Sequence, residues 1–557
     1  MGEIYFKNEE SRVKVEDGTT ILQAARLAGI LIESPCDAIG TCGKCKVRLE
    51  GSSLTEAKIK IEKTNHRVSP EEEREGYVLS CQTKVFGDIT VLTNNIPSRN
   101  NTLKILSEGN SFEYNINPYI TKKVIGRKTE VYGGSVFLGE EEEESSQAYG
   151  MVVDIGTTTL VAALVELKSG EELGAISSLN PQSLKAQDVL TRINLASNED
   201  GLSQMYVAIT SELNRMIEEL SATYSVKREW IYEVVYSGNT AMIHLATNIN
   251  PKPLGQYPYT PVIRGGNTIA ACGHINISPF GLIYLPPIIS AYVGPDITSG
   301  VIASQLQHAK GTTLFIDIGT NGEMILAKNG QLFATSTAAG PAFEGMNIEY
   351  GMRAGNGAIE SFSITEDNRI ETKVIGEVEG VGICGSGLLD VVGELVRVGI
   401  IGSNGKLTKP IEESQYHDLG NKLILKNQKP AFSIIGDVVL TQKDIRQVQL
   451  AKGAIRAGIE ALLKQMNICA KEVDRVEIAG SFGFHLKESS LIHIGMLPAE
   501  FAGKIHFVGN TSKSGGKAFL LNKDLREVAS KVVHNITVVE LANSEGFDKL
   551  FIKAMSF

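Results

Sequence analysis

The feature that most constrains this chain is a short pattern that occurs twice. Residues 152–159 and residues 315–322 each hold an apolar, strand-like run that ends on an aspartate and continues into an Ile-Gly-Thr turn. We interpret each copy as the end of a β-hairpin. Because the aspartates Asp154 and Asp317 are far apart in the chain, the two copies predict two large halves built from the same kind of unit.

The residue types in this pattern favour phosphate binding. Glycine lets backbone N–H groups approach an anion, threonine hydroxyls add donors, and an aspartate can hold a hydrated Mg²⁺ or position a water. One copy is weak evidence, because any strand that ends in a tight turn would look the same. Two copies that face each other would bind one nucleotide from both sides. We call residues 154–159 the first phosphate loop and residues 317–322 the second phosphate loop.

Composition narrows the class of partner. The chain has 557 residues, 42% of them hydrophobic, which predicts two to four globular domains. Its net charge of -10 and the absence of a large Lys/Arg cluster argue against nucleic acid. The start of the sequence shows no basic-then-apolar leader, and no run of 18 apolar residues occurs. We therefore expect a cytoplasmic protein without membrane association.

Four of the seven cysteines form a recognisable pattern near the start of the chain. Cys36, Cys42 and Cys45 have the spacing C-x5-C-x2-C in a glycine-punctuated loop, and Cys81 follows later as a candidate fourth thiolate. Structural zinc usually uses paired knuckles, so zinc is an alternative that this arrangement favours less. A second alternative is that the cysteines are unrelated and buried.

On these residues, the segment 1–98 resembles a 2Fe-2S ferredoxin domain of the β-grasp type. Its spacing has one residue more than the plant type and is similar to the adrenodoxin-like branch. The resemblance implies that the four cysteines bind a 2Fe-2S cluster, and residues 88–93 are expected to form the closing strand. The segment 99–148 contains an acidic run at 140–144 and is interpreted as a solvated linker; the alternative is a mobile tether that lets the cluster swing.

The rest of the chain contains more glycine turns that follow apolar runs. Residues 338–345 and 382–390 place glycines where a backbone approaches something closely, and residues 476–484 are a strand that leads into a Gly-Ser-Phe-Gly turn. Thr441 and Asp444 form a capping box for a helix of clean 3.6 period, whose polar face carries Arg446, Lys452 and Arg456 and is expected to be solvated.

Two phosphate loops in duplicated halves, followed by a late strand and glycine turn, resemble the phosphate 1, phosphate 2 and adenosine motifs of the superfamily of acetate and sugar kinases, heat-shock ATPases and actin. The resemblance implies a duplicated, ribonuclease-H-like ATPase core, with halves at 149–310 and 311–557, that binds ATP and Mg²⁺. It implies Asp154 and Asp317 as the Mg²⁺ and water-positioning aspartates. The implied phosphate contacts are Gly156, Thr157, Thr158, Gly319, Thr320 and Asn321. The implied adenosine contacts are Gly480, Ser481 and Gly483, and the turn Gly385, Ser386 and Gly387 is similar to a nucleotide-cleft turn in radical-dehydratase activators.

A ferredoxin domain joined to such an ATPase resembles the reductive activators of corrinoid proteins, over the whole chain. The resemblance implies an α+β and α/β multidomain protein that uses ATP and its 2Fe-2S cluster to reduce an inactive Co(II) corrinoid protein to Co(I), and so reactivates a corrinoid-dependent methyltransferase system. It also implies an upstream low-potential electron donor and a homodimer. The sequence has no Asp-x-His-x-x-Gly corrinoid motif, so the corrinoid should belong to the partner.

Three other functions remain open at this point. The first is a small-molecule kinase with a redox sensor. The second is an activator of another low-potential enzyme, such as a 2-hydroxyacyl-CoA dehydratase; that family holds a 4Fe-4S cluster between two subunits, and the separate ferredoxin domain argues against it. The third is a scaffold with a decayed nucleotide site, which two intact phosphate loops argue against.

Overall fold

A computed structural model describes residues 2–30, 32, 34, 38, 40, 43–50, 58–61, 67–93, 109, 112–142, 146–409, 414–426, 428–480, 486–541, 544 and 546–557. The chain divides into two compact units. The first contains residues 1–102 and 181–195, and the second contains residues 103–180 and 196–557.

The first unit contains a five-stranded sheet in the order β2-β1-β7-β3-β5 and a two-stranded sheet of β4 and β6. Its elements are β1 Gly2–Phe6, β2 Ser11–Val15, α1 Ile21–Leu27, β3 Lys46–Leu49, β4 Ile59–Ile61, α2 Pro70–Arg74, β5 Tyr77–Leu79, β6 Thr83–Val85, β7 Ile89–Thr93 and α3 Val189–Leu195. β1 pairs antiparallel with β2 and parallel with β7. The expected closing strand is therefore confirmed, and the mixed sheet with α1 is the predicted β-grasp arrangement.

Local sequence explains how α1 begins. The Thr20 hydroxyl accepts a hydrogen bond from the Gln23 N–H at 3.2 Å, and the Thr20 N–H donates to the Gln23 Oε1 at 2.9 Å. Alternation along β1 buries Ile4 and Phe6 under this helix, in a core that also contains Cys45 and Cys81.

The second unit begins with a small antiparallel sheet, β10-β9-β8, made of β8 Ile120–Ile125, β9 Lys128–Gly133 and β10 Val136–Glu141. These strands lie within the segment interpreted as a linker. Two members of the acidic run form ion pairs here: Glu140 with Lys128 at 2.5 Å and Glu141 with Lys122 at 2.7 Å. This part of the segment is therefore folded.

Two six-stranded sheets form the centre of the second unit, in the orders β13-β12-β11-β14-β16-β15 and β27-β26-β17-β18-β19-β28. The first sheet and its helices are β11 Tyr149–Ile155, β12 Thr159–Glu166, β13 Glu172–Leu179, α4 Glu199–Tyr224, β14 Ile231–Gly238, α5 Thr240–Ala246, β15 Asn267–Ala270, β16 Leu282–Leu285 and α6 Pro295–Ala303. The second sheet begins with β17 Thr312–Ile318, β18 Gly322–Lys328 and β19 Gln331–Thr337.

The remaining elements complete the second half. They are β20 Ala358–Ile364, β21 Ile370–Val374, β22 Gly382–Ile383, α7 Gly385–Arg397, β23 Leu423–Lys426, β24 Lys429–Ile435, β25 Val438–Thr441, α8 Gln442–Gln465, β26 Arg475–Ala479, α9 Glu488–His493, β27 Ile505–Gly509, α10 Thr511–Leu521, α11 Asp524–Asn535, β28 Thr537–Val538 and α12 Phe547–Ala554. Three-stranded sheets β21-β20-β22 and β23-β24-β25 flank the main sheet.

The two large sheets repeat one arrangement. In the first, β11 pairs antiparallel with β12 and parallel with β14; in the second, β17 pairs antiparallel with β18 and parallel with β26. Each phosphate loop joins an antiparallel pair, closing at Ile155 opposite Leu160 and at Ile318 opposite Gly322. The predicted hairpins and the duplicated fold are therefore confirmed.

Helix α8 shows one correct and one wrong expectation. The Thr441 and Asp444 capping box is present. Lys452, however, is fully buried, because α12 and the last residues of the chain cover that side of the helix: its ammonium donates to the Ser556 carbonyl and lies 5.1 Å from the centre of the Phe557 ring. Within the described ranges, no helix has the length and apolar character needed to cross a membrane.

Candidate nucleotide site and iron-sulfur ligands

The first phosphate loop follows the end of β11. The Gly156 N–H donates to the Thr159 carbonyl at 2.9 Å, and a Cβ on Gly156 would lie 2.6 Å from that oxygen, so the turn requires glycine. The Thr157 hydroxyl accepts from Asn239, which also caps α5. The loop is thus anchored to the next strand and helix of the same sheet.

The second phosphate loop is built in the same way. The Gly319 N–H donates to the Asn321 carbonyl at 2.9 Å and closes the turn between β17 and β18. Asp317 and Glu323 are directly opposite each other on these two strands. Two carboxylates in that position repel each other, so a cation beside them would be stabilised.

Four carboxyl groups interact electrostatically at the base of the cleft. Burial, with the nearby charge of Asp154, raises the pKa of Asp317 to about 7. Burial, with the nearby charge of Asp317, raises the pKa of Asp296 to about 8, and burial also raises the pKa of Glu323 well above its usual range. Burial raises the pKa of Asp154 too, although two hydrogen bonds oppose the shift: Asn510 Nδ2 and Ser512 Oγ each donate to this carboxylate at 2.8 Å.

Both loops and all four carboxyl groups line one cavity of about 230 Å³. Six carboxylates are found among the described residues that line it, since Glu344 and Glu360 join the other four. Arg353 is the single cation among the described lining residues, and its Nε is buried without a hydrogen-bond partner in the described part of the chain. The oxygens of carboxylates such as these six are the ligand atoms that a hydrated Mg²⁺ prefers. No three described His, Cys, Asp or Glu side chains are grouped closely enough to hold a bare metal ion.

A less polar part of the cavity wall lies around the start of α7. Met352, Ala354, Ile375 and Cys384 lie here. A Cβ on Gly385 would lie 1.9 Å from the Phe343 carbonyl oxygen, and one on Gly387 would lie 2.1 Å from the Ile359 oxygen. Gly385 and Ser386 line the cavity. An apolar wall next to a helix N-terminus suits a base and ribose.

The third glycine turn is only partly described. Gly480 lines the cavity with a φ of 120°, and a Cβ there would lie 2.5 Å from the Ile318 oxygen, so it packs against the start of the second phosphate loop. Ser481 and Gly483, the other two adenosine candidates, lie outside the described residues.

Sequence reasoning missed several residues that reach the cavity from distant parts of the chain. Asn510 and Ser512, at the start of α10, lie far from Asp154 in sequence but hold its carboxylate. Asn510 was recognisable as a helix cap, but nothing in the sequence indicated what its amide would face. Glu344 belongs to a segment that was noted only for its glycines, and Arg353 follows a few residues later.

In the first unit, two of the four candidate cluster cysteines are described. The sulfur atoms of Cys45 and Cys81 are 3.1 Å apart, because β3 pairs with β5 and the Ser80 N–H donates to the Cys45 carbonyl. The contact with Cys81 lowers the pKa of the Cys45 thiol, which favours the thiolate that iron binds. Cys36 and Cys42 lie outside the described residues.

Three protein-family models match successive parts of the chain. A model of a 2Fe-2S iron-sulfur cluster binding domain matches residues 4–86. A model described as the RACo middle region matches residues 149–309, and one described as the C-terminal domain of RACo, the ASKHA domain, matches residues 311–557. Fold and site thus define an ASKHA-type ATPase that carries a 2Fe-2S domain.

Relatives and a solved structure narrow the class. The corrinoid activation enzyme RamQ of Eubacterium limosum is 32% identical over 432 residues, which cover 76% of this chain and 72% of that protein. A reductase of Methanosarcina barkeri, specific for the Co(II) methylated amine-specific corrinoid protein, is 24% identical over 73% of this chain and 77% of its own length. The solved reductive activator for corrinoid, iron-sulfur protein superposes with a TM-score of 0.72 at 30% identity, covering 100% of this chain and 98% of that one. The chain belongs to the family of reductive activators of corrinoid proteins.

Proposed function

We propose that this protein uses ATP to drive the one-electron reduction of an inactive Co(II) corrinoid protein to Co(I), and so reactivates a corrinoid-dependent methyltransferase system. The observation that carries the proposal is the union, in one chain, of a 2Fe-2S domain and an ATPase cleft lined by two phosphate loops. Neither part alone points to this activity, since a ferredoxin domain needs no ATPase and a kinase needs no cluster.

Energetics support the need for ATP. Plant-type 2Fe-2S clusters have potentials near about -400 mV. Co(I) of a free corrinoid is a stronger reductant than such a cluster, so electron transfer to Co(II) is uphill. For one electron, each ~59 mV of mismatch is a factor of ten in the equilibrium constant. A protein that binds its partner differently with and without nucleotide can shift that equilibrium.

The proposal assigns roles to the aspartates, the phosphate loops and the glycine turns. Asn510 and Ser512 fix the Asp154 carboxylate as an acceptor, so that it and Asp317 would hold Mg²⁺ through the ion's waters. Asp317 also orients the attacking water. The phosphate contacts come from the two phosphate loops: Thr157, Thr158, Thr320 and Asn321 would supply donors, while Gly156 and Gly319 close the turns and leave room for the phosphates. Gly385, Ser386 and Gly387 are the proposed contacts on the adenosine side, and the adenosine motif proposed from the sequence adds Gly480, Ser481 and Gly483.

Electron transfer is assigned to the first unit. Cys36, Cys42, Cys45 and Cys81 would hold the 2Fe-2S cluster, and the short distance between Cys45 and Cys81 fits two ligands of one centre. When bound, the cluster would supply the one-electron chemistry, with cobalt as the electron acceptor and an upstream low-potential donor as the source of the electron. Gln82 donates to the Ala38 carbonyl at 2.6 Å and so ties the cysteine loop to the Cys81 strand end.

The proposal assigns each part of the chain to a domain. Residues 1–98 form the ferredoxin domain, 99–148 the connection, and 149–310 and 311–557 the two halves of the ATPase. We place the protein in the cytoplasm, where its cysteines stay reduced, and we expect a homodimer.

A stimulation assay tests the proposal against the sensor-kinase alternative. ATP turnover by the anaerobically purified protein would be measured with a Co(II) corrinoid protein and, separately, with a panel of sugars and carboxylic acids. If the protein is an activator, the corrinoid protein raises its rate of ATP turnover and the sugars and carboxylic acids do not. Cys81→Ser should lose corrinoid reduction, whereas Cys469→Ser, which changes an exposed cysteine of the second unit, should retain it. Turnover that requires a small acceptor and ignores the corrinoid protein would refute the activator function.

A further inference from the structure

One carboxylate connects the two phosphate loops. Glu344 accepts a hydrogen bond from the Thr158 hydroxyl at 2.5 Å through one oxygen, and a second from the Thr320 hydroxyl through the other. Thr158 belongs to the first phosphate loop and Thr320 to the second. Glu344 is therefore seated between the two halves of the nucleotide site, in the cavity itself.

This arrangement conflicts with phosphate binding by the same hydroxyls. A threonine hydroxyl has a single proton to donate. While Thr158 and Thr320 donate to Glu344, neither can donate to a phosphate oxygen. A carboxylate resembles a phosphate in the features that matter here, since both are anions that present acceptor oxygens to neighbouring donors.

We propose that the Glu344 carboxylate is an internal occupant of the phosphate subsite, which a phosphate group of the incoming nucleotide displaces. This inference rests on the proposed function, because it takes the cleft to be the nucleotide site. In the nucleotide-free protein Glu344 holds the two phosphate loops together, and binding exchanges one anion for another on the same two hydroxyls.

The backbone around Glu344 shows that the exchange is a side-chain movement. Glu344 is the last residue of a short 3₁₀ helix, Pro341–Glu344. That helix is fixed by the buried Phe343 side chain and by hydrogen bonds from the Gly345 N–H to the Ala342 carbonyl and from the Met346 N–H to the Pro341 carbonyl. With the main chain fixed, rotation about the side-chain bonds is the remaining way for the carboxylate to leave.

Charge alone would also make Glu344 unfavourable for an anionic ligand, because it is one of six carboxylates that line the cavity. A double-mutant cycle separates the two effects. Glu344→Ala removes the negative charge and also the carboxylate that competes with a phosphate for the Thr158 and Thr320 hydroxyls. In a Thr158→Val, Thr320→Val background the competition no longer exists, so Glu344→Ala there reports the charge effect alone.

The experiment measures the affinity of the full-length, cluster-containing protein for Mg-AMPPNP, a non-hydrolysable probe, by anaerobic titration calorimetry. We expect Glu344→Ala to tighten binding by about tenfold, the scale of losing hydrogen bonds to a charged group. In the double-valine background we expect a change of less than about threefold, again on that scale. Glu344→Gln, which keeps the size of the side chain and one acceptor, should lie between wild type and Glu344→Ala and guards against misfolding. Glu366→Gln, an exposed carboxylate in the same unit, should change nothing.

Two outcomes would overturn the inference while leaving the proposed function intact: weaker binding by Glu344→Ala, or equal tightening in both backgrounds. If wild type and all variants fail to bind Mg-AMPPNP, the nucleotide site itself is wrong, and the inference falls with it.

Discussion

Asn510→Asp is a substitution whose effect can be worked out from two contacts. Asn510 caps α10, accepting from the Lys513 N–H at 2.8 Å through Oδ1, while its Nδ2 donates to Asp154 at 2.8 Å. Aspartate is as good a helix cap as asparagine, so the cap survives. On the side that faces Asp154, the substitution replaces the Nδ2 donor of Asn510 with a carboxylate oxygen, which is a second acceptor beside the Asp154 carboxylate. The whole effect therefore arises from the contact with Asp154.

The size of that effect follows from the distance. Two carboxylates 2.8 Å apart repel by about 6 kcal/mol at an effective dielectric constant of ~20. The pair avoids most of this by sharing a proton, which the unfolded chain releases above about pH 4. Because the folded variant then binds more protons than the unfolded chain, its stability falls as the pH rises. We expect a loss of roughly 2–4 kcal/mol at pH 8, from that difference in protonation, and little loss at pH 5.

The assay is urea unfolding followed by the fluorescence of Trp230, the chain's one tryptophan, which reports on the second unit. Asn198→Asp is the matched control. Asn198 caps α4 in the same way, accepting from the Gly201 N–H at 2.8 Å. The Asn198→Asp variant should change the free energy of unfolding by less than about 0.5 kcal/mol, because aspartate caps a helix as well as asparagine does. The same pH dependence in both variants would refute the account of the Asp154 site.

Three further predictions concern other charged residues. Lys452→Met should raise stability at pH 6, because burial lowers the pKa of Lys452 to about 7, a penalty of about 5 kcal/mol that is full below pH 7 and fades towards 10.5. Loss of the hydrogen bond to Ser556 and of the contact with the Phe557 ring offsets part of this, so the expected gain is roughly 2 kcal/mol. Thermal unfolding between pH 6 and pH 10.5 measures it, with exposed Lys464→Met as the control. Arg353→Ala should weaken Mg-nucleotide binding by about tenfold in a calorimetric titration, as the loss of a charged contact, and Arg353→Lys should weaken it less. Affinity for Mg-nucleotide should rise between pH 6 and pH 9, as Asp296 and Asp317 lose the protons that their raised pKa values retain; falling affinity over that range would contradict the assignment.

Local patterns predicted the parts of the fold that depend on nearby residues. An apolar run, an aspartate and a glycine turn are contiguous, so both phosphate loops were recognisable, and their repetition predicted the duplicated sheets. The capping box at Thr441 was recognisable for the same reason, since its partner residue is three positions away.

The rest of the cleft depends on contacts between elements far apart in the chain. Asn510 reaches Asp154 because α10 packs against β11, and Glu344 joins two loops from different halves of the molecule. Lys452 was misjudged because periodicity shows which face of a helix is polar, but not that α12 covers part of that face. Long-range packing is what a single sequence leaves unspecified.

The measurement that tests the central claim most directly is the appearance of Co(I) in a single turnover. The chemically reduced protein would be mixed anaerobically with a Co(II) corrinoid protein, and the Co(I) absorbance band followed with and without Mg-ATP. The account predicts Co(I) only when Mg-ATP is present, and its loss in Asp317→Ala and in Cys42→Ser. Co(I) that forms equally well without nucleotide, or that never forms while ATP is hydrolysed, would contradict it.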